Sequence, residues 1–166
     1  FRAMESGIGV VGAKLLYPSW TLQHGGVVLG SGGYAGHFEL GRDASDPGYL
    51  GRLVVAHEVS AVTGACIAIE KSKFDAVQGF DEDAFPVDFN DVDLCLRLRS
   101  RGWRTILSPE CVFLHRHSAT RERPKFGPER YAREKANFMH RWRSFAWDDP
   151  YFHPALSLQS QQVMLG

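Results

Sequence analysis

The chain has 166 residues, the length of a single domain, and its hydrophobic fraction of 44% suffices for one core. Basic and acidic residues balance at 19 each, which excludes the basic surface of a nucleic-acid-binding protein and the acidic tail of a solvating one. No apolar run is long enough to cross a bilayer and no signal peptide is recognised. We therefore expect a cytoplasmic protein with three reduced, buried cysteines that lack CxxC spacing: Cys66, Cys95 and Cys111.

The first part of the chain predicts strands around a glycine-rich loop. Residues 9–17 form a nearly continuous apolar run, which predicts a buried strand, and residues 21–30 predict a second extended segment. Residues 31–52 lack periodicity and predict a long loop, of the kind that is usually functional or mobile. Residues 57–71 are apolar at both odd and even positions, which predicts a central strand covered on both faces.

The next segment predicts two helices. A short helix is expected to begin at Ser72 as its N-cap and to stop at Gly79. A second helix is expected from about Asp91 to Gly102.

The last part of the chain predicts two strands and a helix. "WRTILSP" and "CVFLH" are expected to be two short strands separated by Pro109. Residues 127–146 predict an amphipathic helix, followed by an extended, aromatic-rich tail; the inward side of the helix is expected to carry Tyr131, Phe138, Met139 and Trp142. The alternation of strands and helices predicts an α/β fold whose sheet is either parallel or mixed.

Three acids crowd the start of the second helix, in "PVDFNDVDLCLRLRSRGW". A helix turns by about 100° per residue, so Asp91 and Asp93 point roughly 200° apart and cannot face one site. Asp93 precedes Arg97 by four residues, which predicts an exposed ion pair. Asp91 falls in the first turn, where its spacing alone favours helix capping. "DVD" also fits the DxD pattern of metal–diphosphate sites, but that pattern normally closes a strand, so we discount it here.

The order of motifs in residues 59–121 resembles the C-terminal half of a family 2 glycosyltransferase with the GT-A fold. A strand ends in Gly64-Ala65, "QGFDED" matches a "GGF-D" turn, "NDVDLCLR" opens a helix, "GWR" opens a strand, and "HRHS" matches a closing H-x-x-S. "VGAKLLYP" and "TLQHGGVVLG" upstream, and "RW…DDPYFHP" downstream, resemble the rhamnosyltransferase-like branch of polysaccharide assembly. The resemblance covers about residues 9–155. It implies a Rossmann-like nucleotide-diphospho-sugar transferase fold, with a mixed sheet flanked by helices.

The resemblance implies that Asp91 is the catalytic base. Asn90 precedes it where many members of the family have Glu. An acceptor hydroxyl must lose its proton as it attacks the anomeric carbon, and one fixed carboxylate suffices for displacement with inversion. Asn90, Gly64 and Ala65 are then expected to contact substrate, the last two because small residues let the sugars approach the sheet. The alternative for Gly64 is a glycine required only for packing.

The same resemblance implies that His115 helps to bind a divalent metal and the diphosphate. The chain departs from the commoner "HHES" of the family, so His117 is the alternative ligand. Mg²⁺ and Mn²⁺ prefer oxygen ligands, and the other ligands are expected to be carboxylates and phosphate oxygens. Residues 23–26, "QHGG", match a further signature of the family.

The expected protein is thus part of an inverting glycosyltransferase of cell-surface glycan synthesis. Residues 1–123 would form the acceptor and catalytic half, and residues 124–166 a C-terminal helix and tail. The nucleotide-binding half would precede residue 9, so the chain alone is expected to be inactive. Its partners would be a nucleotide-diphosphate sugar, a glycan or lipid-linked acceptor and the missing half, with peripheral association at the inner face of the membrane as a further option. The alternatives are a non-catalytic carbohydrate- or partner-binding module and an unrelated hydrolase that uses Asp91, Asp93 and His115.

Overall fold

The computed structural model describes residues 2–116, 127–145 and 148–166. The strands in these ranges are β1 (Ile8–Leu16), β2 (Leu22–His24), β3 (Val27–Leu29), β4 (Ala35–His37), β5 (His57–Glu58), β6 (Ile67–Ile69) and β7 (Arg104–Leu114). The helices are α1 (Lys71–Ala76), α2 (Asn90–Ser100) and α3 (Pro128–Arg141), with 3₁₀ turns at Arg2–Met4, Ser31–Gly33 and Tyr49–Gly51.

A mixed sheet is built around β1, the longest apolar strand of the first half. β7 pairs parallel to β1 on one side, whereas β2 and β6 pair antiparallel to it on the other. β5 pairs antiparallel to the first half of β7, and β3 and β4 form a separate two-stranded sheet. The α/β architecture with a mixed sheet, predicted from the alternation of elements, is confirmed.

Helix α2 lies in the middle of the main core. Six of its residues are buried, on more than one face of the helix: Val92, Asp93, Leu94, Cys95, Leu96 and Leu98. The core around it also includes residues from β1, β3, the segment before β6, β7 and α3. Each fully buried leucine contributes on the order of 1.5–3 kcal/mol, so this burial fixes α2 against the rest of the molecule.

Residues 57–71 do not form the single central strand that their apolar pattern predicts. They form β5 and β6, and the backbone between these strands bonds to two different partners: the Val59 N–H donates to the Thr105 carbonyl, while the Ala61 carbonyl accepts from Val27 N–H. The segment therefore crosses from the main sheet to the β3–β4 sheet. Burial between the two sheets explains why Val59, Ala61 and Val62 are all apolar without being consecutive strand residues.

The two strands predicted on either side of Pro109 are one strand, β7, with an irregularity. β1 pairs with Ser108 and then next with Val112, so the residues around Pro109 lie outside the regular ladder. A proline is tolerated at such a bulge because it has no N–H to donate. The first half of β7 is mostly buried and its second half is exposed, with Val112, Phe113 and Leu114 at 47%, 52% and 54% of their full exposure.

Three smaller predictions are also corrected. Ser72 is not an N-cap, because α1 begins at Lys71 after Glu70 and the Ser72 hydroxyl donates to the Glu70 carboxylate at 2.5 Å. All three cysteines are free thiols, but only Cys95 is buried, and Cys111 is exposed. Helix α3 ends at Arg141, and on its inward side Phe138 and the following Trp142 are buried while Tyr131 is 37% exposed.

Two of the sequence expectations fall outside the described residues. The boundary between residues 123 and 124 lies in the range 117–126, and so does His117. Within the described part of the chain, no helix combines the length and the apolar character needed to cross a membrane.

Candidate active site

The start of α2 is set by aromatic packing and not by a polar N-cap side chain. Phe89, the residue before the helix, has a left-handed backbone (φ 63°) and makes no side-chain cap. This conformation is uncommon for a large side chain and persists only where the surroundings hold it. The Phe89 ring stacks on Phe138 of α3 at a centroid distance of 5.0 Å and meets Tyr34 edge-on at 5.8 Å. Helix α3 thereby fixes where α2 begins.

Asp91, the second residue of α2, is held by two backbone N–H groups. Gly64 N–H donates to its Oδ2 and Val92 N–H donates to its Oδ1, each at 2.8 Å. The side chain is partly exposed, and none of the described arginine, lysine or histidine side chains forms an ion pair with it. Each carboxylate oxygen keeps a further lone pair. The result is an oriented carboxylate that remains able to accept a proton or a hydrogen bond.

The structure brings Gly64 and Ala65 next to this carboxylate, on an exposed loop. A Cβ atom added to Gly64 would lie 3.4 Å from the Asp91 Cβ and 3.8 Å from its Oδ2. A side chain larger than a methyl at this position would therefore cover Asp91. Asn90, the first residue of α2, is partly exposed beside them.

Asp93 belongs to a different, buried network. As predicted from the helical angle, it is directed away from Asp91, and it pairs with Arg97 at 2.7 Å. The prediction that this pair is exposed is wrong: Asp93 is fully buried and also accepts from Arg141 at 3.0 Å and from the Trp142 indole N–H at 2.9 Å. The reason is that α3 and the residue after it cover this face of α2. Asp88, the third acid of the stretch, pairs with Arg130 at 2.9 Å.

His115 follows the last residue of β7 and is anchored at three atoms. Its backbone N–H donates to the Leu16 carbonyl at 2.9 Å. Its ring Nδ1 lies 2.7 Å from Gln23 Oε1, and the Gln23 amide donates to the His115 carbonyl at 3.2 Å. Among the described residues, the other ring nitrogen, Nε2, has no hydrogen-bond partner.

The described residues can contribute one metal ligand but not a whole metal site. No group of three or more His, Cys, Asp or Glu side chains that could hold an ion occurs among them. His115 Nε2 fits the role of a single ligand, since it is an imidazole nitrogen without a protein partner in the described part of the chain. The remaining ligands of a divalent cation would have to be phosphate oxygens or groups outside the described residues.

Sequence reasoning gave no structural role to His24, the neighbour of Gln23 on β2. His24 is buried, its Nδ1 lies 2.9 Å from Nδ1 of His37, and its Nε2 accepts from Thr63 N–H at 3.3 Å. Burial, and then the nearby His37, lower the pKa of His24 well below its usual value. A neutral His24 therefore holds the Thr63 N–H in place. The N–H of the next residue in this loop, Gly64, binds Asp91. The "QHGG" signature was the only sequence signal for this contact.

Two other features are not part of this arrangement. Burial raises the pKa of the Cys95 thiol to about 12, so Cys95 is not a nucleophile at neutral pH. A cleft of about 530 Å³ lies beside the connection between α1 and α2, and neither Asp91 nor His115 lines it; its walls are Val77, Gln78, Phe80, Asp81, Glu82, Asp83 and Arg97.

Comparison with known proteins gives relatives for nearly the whole chain. No protein-family model matches the chain, and no solved structure is significantly similar to it. The uncharacterized protein y4gI of Sinorhizobium fredii is 40% identical over 98% of the chain, and the O-antigen biosynthesis protein RfbC of Myxococcus xanthus is 33% identical over 95% of it. N-acetylglucosaminyl-diphospho-decaprenol L-rhamnosyltransferase of Mycobacterium tuberculosis is 38% identical over 39% of the chain.

These relatives are much longer than the chain. The alignments span 18% of y4gI, 12% of RfbC and 21% of the rhamnosyltransferase. The chain therefore corresponds to one segment of each protein. The relatives that carry a functional name are proteins of O-antigen biosynthesis and rhamnosyl transfer, and they suggest a glycosyltransferase-like family.

Proposed function

We propose that the chain supplies the acceptor side and the catalytic base of an inverting, family 2-like glycosyltransferase with a GT-A fold. The donor would be a nucleotide-diphosphate sugar, and the acceptor a glycan or lipid-linked saccharide in cell-surface polysaccharide synthesis. The observation that carries the proposal is the Asp91 carboxylate, held by Gly64 N–H and Val92 N–H at 2.8 Å and unpaired with any described cation. The names of the relatives support it.

In this reaction Asp91 accepts the proton of the acceptor hydroxyl. As the O–H bond breaks, the acceptor oxygen forms a bond to the anomeric carbon, and the bond from that carbon to the diphosphate oxygen breaks on the opposite side. The nucleoside diphosphate leaves with the electron pair, and the configuration at the anomeric carbon inverts. A carboxylate fixed by two backbone N–H groups loses little freedom when it binds the hydroxyl, which favours proton transfer within hydrogen-bond reach.

The neighbouring residues would shape the approach of substrate. Gly64 and Ala65 are exposed and add at most a methyl group beside Asp91, so a sugar ring can reach the carboxylate. Asn90 would contact the acceptor from the helix start. His115 would be one ligand of Mg²⁺ or Mn²⁺, which would supply positive charge to the diphosphate leaving group.

The test is Asp91→Asn in the complete protein that contains this segment. We expect kcat to fall by about 10²–10⁴-fold while the Kd for the donor changes little, because the proton acceptor acts in the transition state. Asn keeps one carbonyl oxygen, so only one of the two backbone hydrogen bonds is lost, at a cost of about 1 kcal/mol.

Asp88→Asn is the matched control. It removes one negative charge three residues earlier, at a carboxylate that is paired with Arg130. We expect its kcat per folded molecule to stay near that of the wild type. If Asp91→Asn leaves kcat unchanged while donor or acceptor sugar still binds, Asp91 is not a base, and the segment is a carbohydrate-binding module.

A further inference from the structure

Gln23 and His115 are joined by a pair of hydrogen bonds across the sheet. β1 lies between β2 and β7, so the Gln23 side chain has to span β1 to reach the residue after β7. Gln23 is only 6% exposed, which restricts its side chain to this arrangement. Nothing in the proton-transfer chemistry at Asp91 requires this contact, so it needs a separate explanation.

The two hydrogen bonds determine which nitrogen of His115 carries the proton. The Gln23 amide nitrogen donates to the His115 carbonyl at 3.2 Å, because the reverse orientation would set two acceptor oxygens against each other. The Gln23 oxygen therefore faces the ring, and an amide oxygen can only accept. Nδ1, at 2.7 Å, must be the donor, so the neutral ring has its lone pair on Nε2.

We propose that Gln23 is a positioning residue that holds His115 as the Nδ1–H tautomer and so offers the Nε2 lone pair as a ligand to a divalent cation. The inference rests on the proposed function for its purpose, but the tautomer of His115 can be tested without any transfer reaction. Histidine ligands generally donate their second ring N–H to an acceptor, which fixes the ring and the tautomer, and loss of such a partner lowers metal affinity by about 10–100-fold. Gln23 is that acceptor here.

The first experiment reads the tautomer by ¹⁵N NMR of the histidine rings in the 166-residue chain. In the wild type we expect His115 to be protonated at Nδ1. Gln23→Leu removes the acceptor and should shift His115 toward the Nε2–H form, whereas Gln23→Glu loses the bond to the His115 carbonyl but keeps an oxygen facing the ring and should keep a proton on Nδ1. Gln162→Leu is the matched control, because it removes another bond from a glutamine side chain to a backbone carbonyl, that of Leu40 at 2.6 Å.

The second experiment adds Mn²⁺ together with a nucleoside diphosphate, whose phosphate oxygens supply ligands that the described residues lack, and follows paramagnetic broadening of the His115 ring protons. We expect Gln23→Leu to require about 10–100-fold more Mn²⁺ for the same broadening, and Gln162→Leu to require no more than the wild type. A wild-type His115 protonated at Nε2, or a Gln23→Leu ring with an unchanged tautomer, would overturn the inference. So would a changed tautomer with unchanged Mn²⁺ affinity.

The outcomes separate this inference from the proposed function. If Asp91→Asn has no effect on transfer but the tautomer follows Gln23 and Mn²⁺ affinity falls, the catalytic assignment fails and the positioning role stands. If transfer depends on Asp91 but the His115 tautomer is the same in the wild type and in Gln23→Leu, only the positioning role fails.

Discussion

Replacing Asp93 with Asn should destabilise the protein considerably more than the same change at Asp91, although the two residues are two positions apart on one helix. Asp93 is fully buried and accepts from Arg97, Arg141 and the Trp142 indole. Removing one member of a buried ion pair typically costs about 3–5 kcal/mol, because a charge is left without its partner.

The surroundings of the two arginines reduce this cost. Arg97 also donates to the Val77 and Gly79 carbonyls, and Arg141 pairs with Asp81 at 2.8 Å. Both arginine side chains are partly exposed, at 20% and 36%. We therefore expect Asp93→Asn to lower the free energy of unfolding by about 2–3 kcal/mol, below the range for a fully enclosed pair.

The assay is urea unfolding of the two single variants and the wild type. At 2–4 °C per kcal/mol for a chain of this size, Asp93→Asn should also lower Tm by roughly 4–12 °C, and Asp91→Asn by a few degrees at most. If Asp93→Asn costs no more than Asp91→Asn, the buried network with α3 contributes nothing to stability and the description of this face of α2 is wrong.

Three further predictions follow from contacts near the site. Burial lowers the pKa of His24, so the folded protein cannot take up the proton that the unfolded chain binds as pH falls below about 6.5. The free energy of unfolding should therefore decrease as pH falls through this range, and His24→Gln should flatten that part of a plot of unfolding free energy against pH. A Cβ at Gly12 would lie 2.5 Å from Val62 Cβ, so Gly12→Ala should cost about 1–3 kcal/mol in urea unfolding, and an equal cost in a Val62→Gly background, which lacks that Cβ, would contradict the contact. Cys111 should react with a thiol reagent in the folded protein while Cys95 reacts only after unfolding, as mass spectrometry of the labelled chain would show.

The sequence predicted best those features that depend only on residues close together in the chain. The angle between Asp91 and Asp93 and the Asp93–Arg97 pair follow from helix geometry alone, and both are present. The buried apolar strand β1 and the mixed sheet were predicted for the same reason: strand periodicity and alternation depend on neighbouring residues.

The contacts that the sequence could not predict join residues that are far apart along the chain. Asp93 is buried by residues 48 and 49 positions away, and His115 is bound by Gln23, 92 positions away. No local pattern records such contacts. Residues 57–71 show the same limit, because an apolar segment that crosses between two sheets has the composition of a strand buried in one.

The exposed second half of β7 should influence how the chain behaves during expression and purification. Val112, Phe113 and Leu114 are about half exposed, and the ladder described for them runs to β1 alone, since β5 reaches only Ile106 and Leu107. An extended apolar edge of this kind is a template for pairing with another chain, so copies at high concentration should tend to self-associate. The substitution Phe113→Lys should raise the soluble yield without changing the geometry around Asp91. It would make the chain easier to crystallise or to study by NMR.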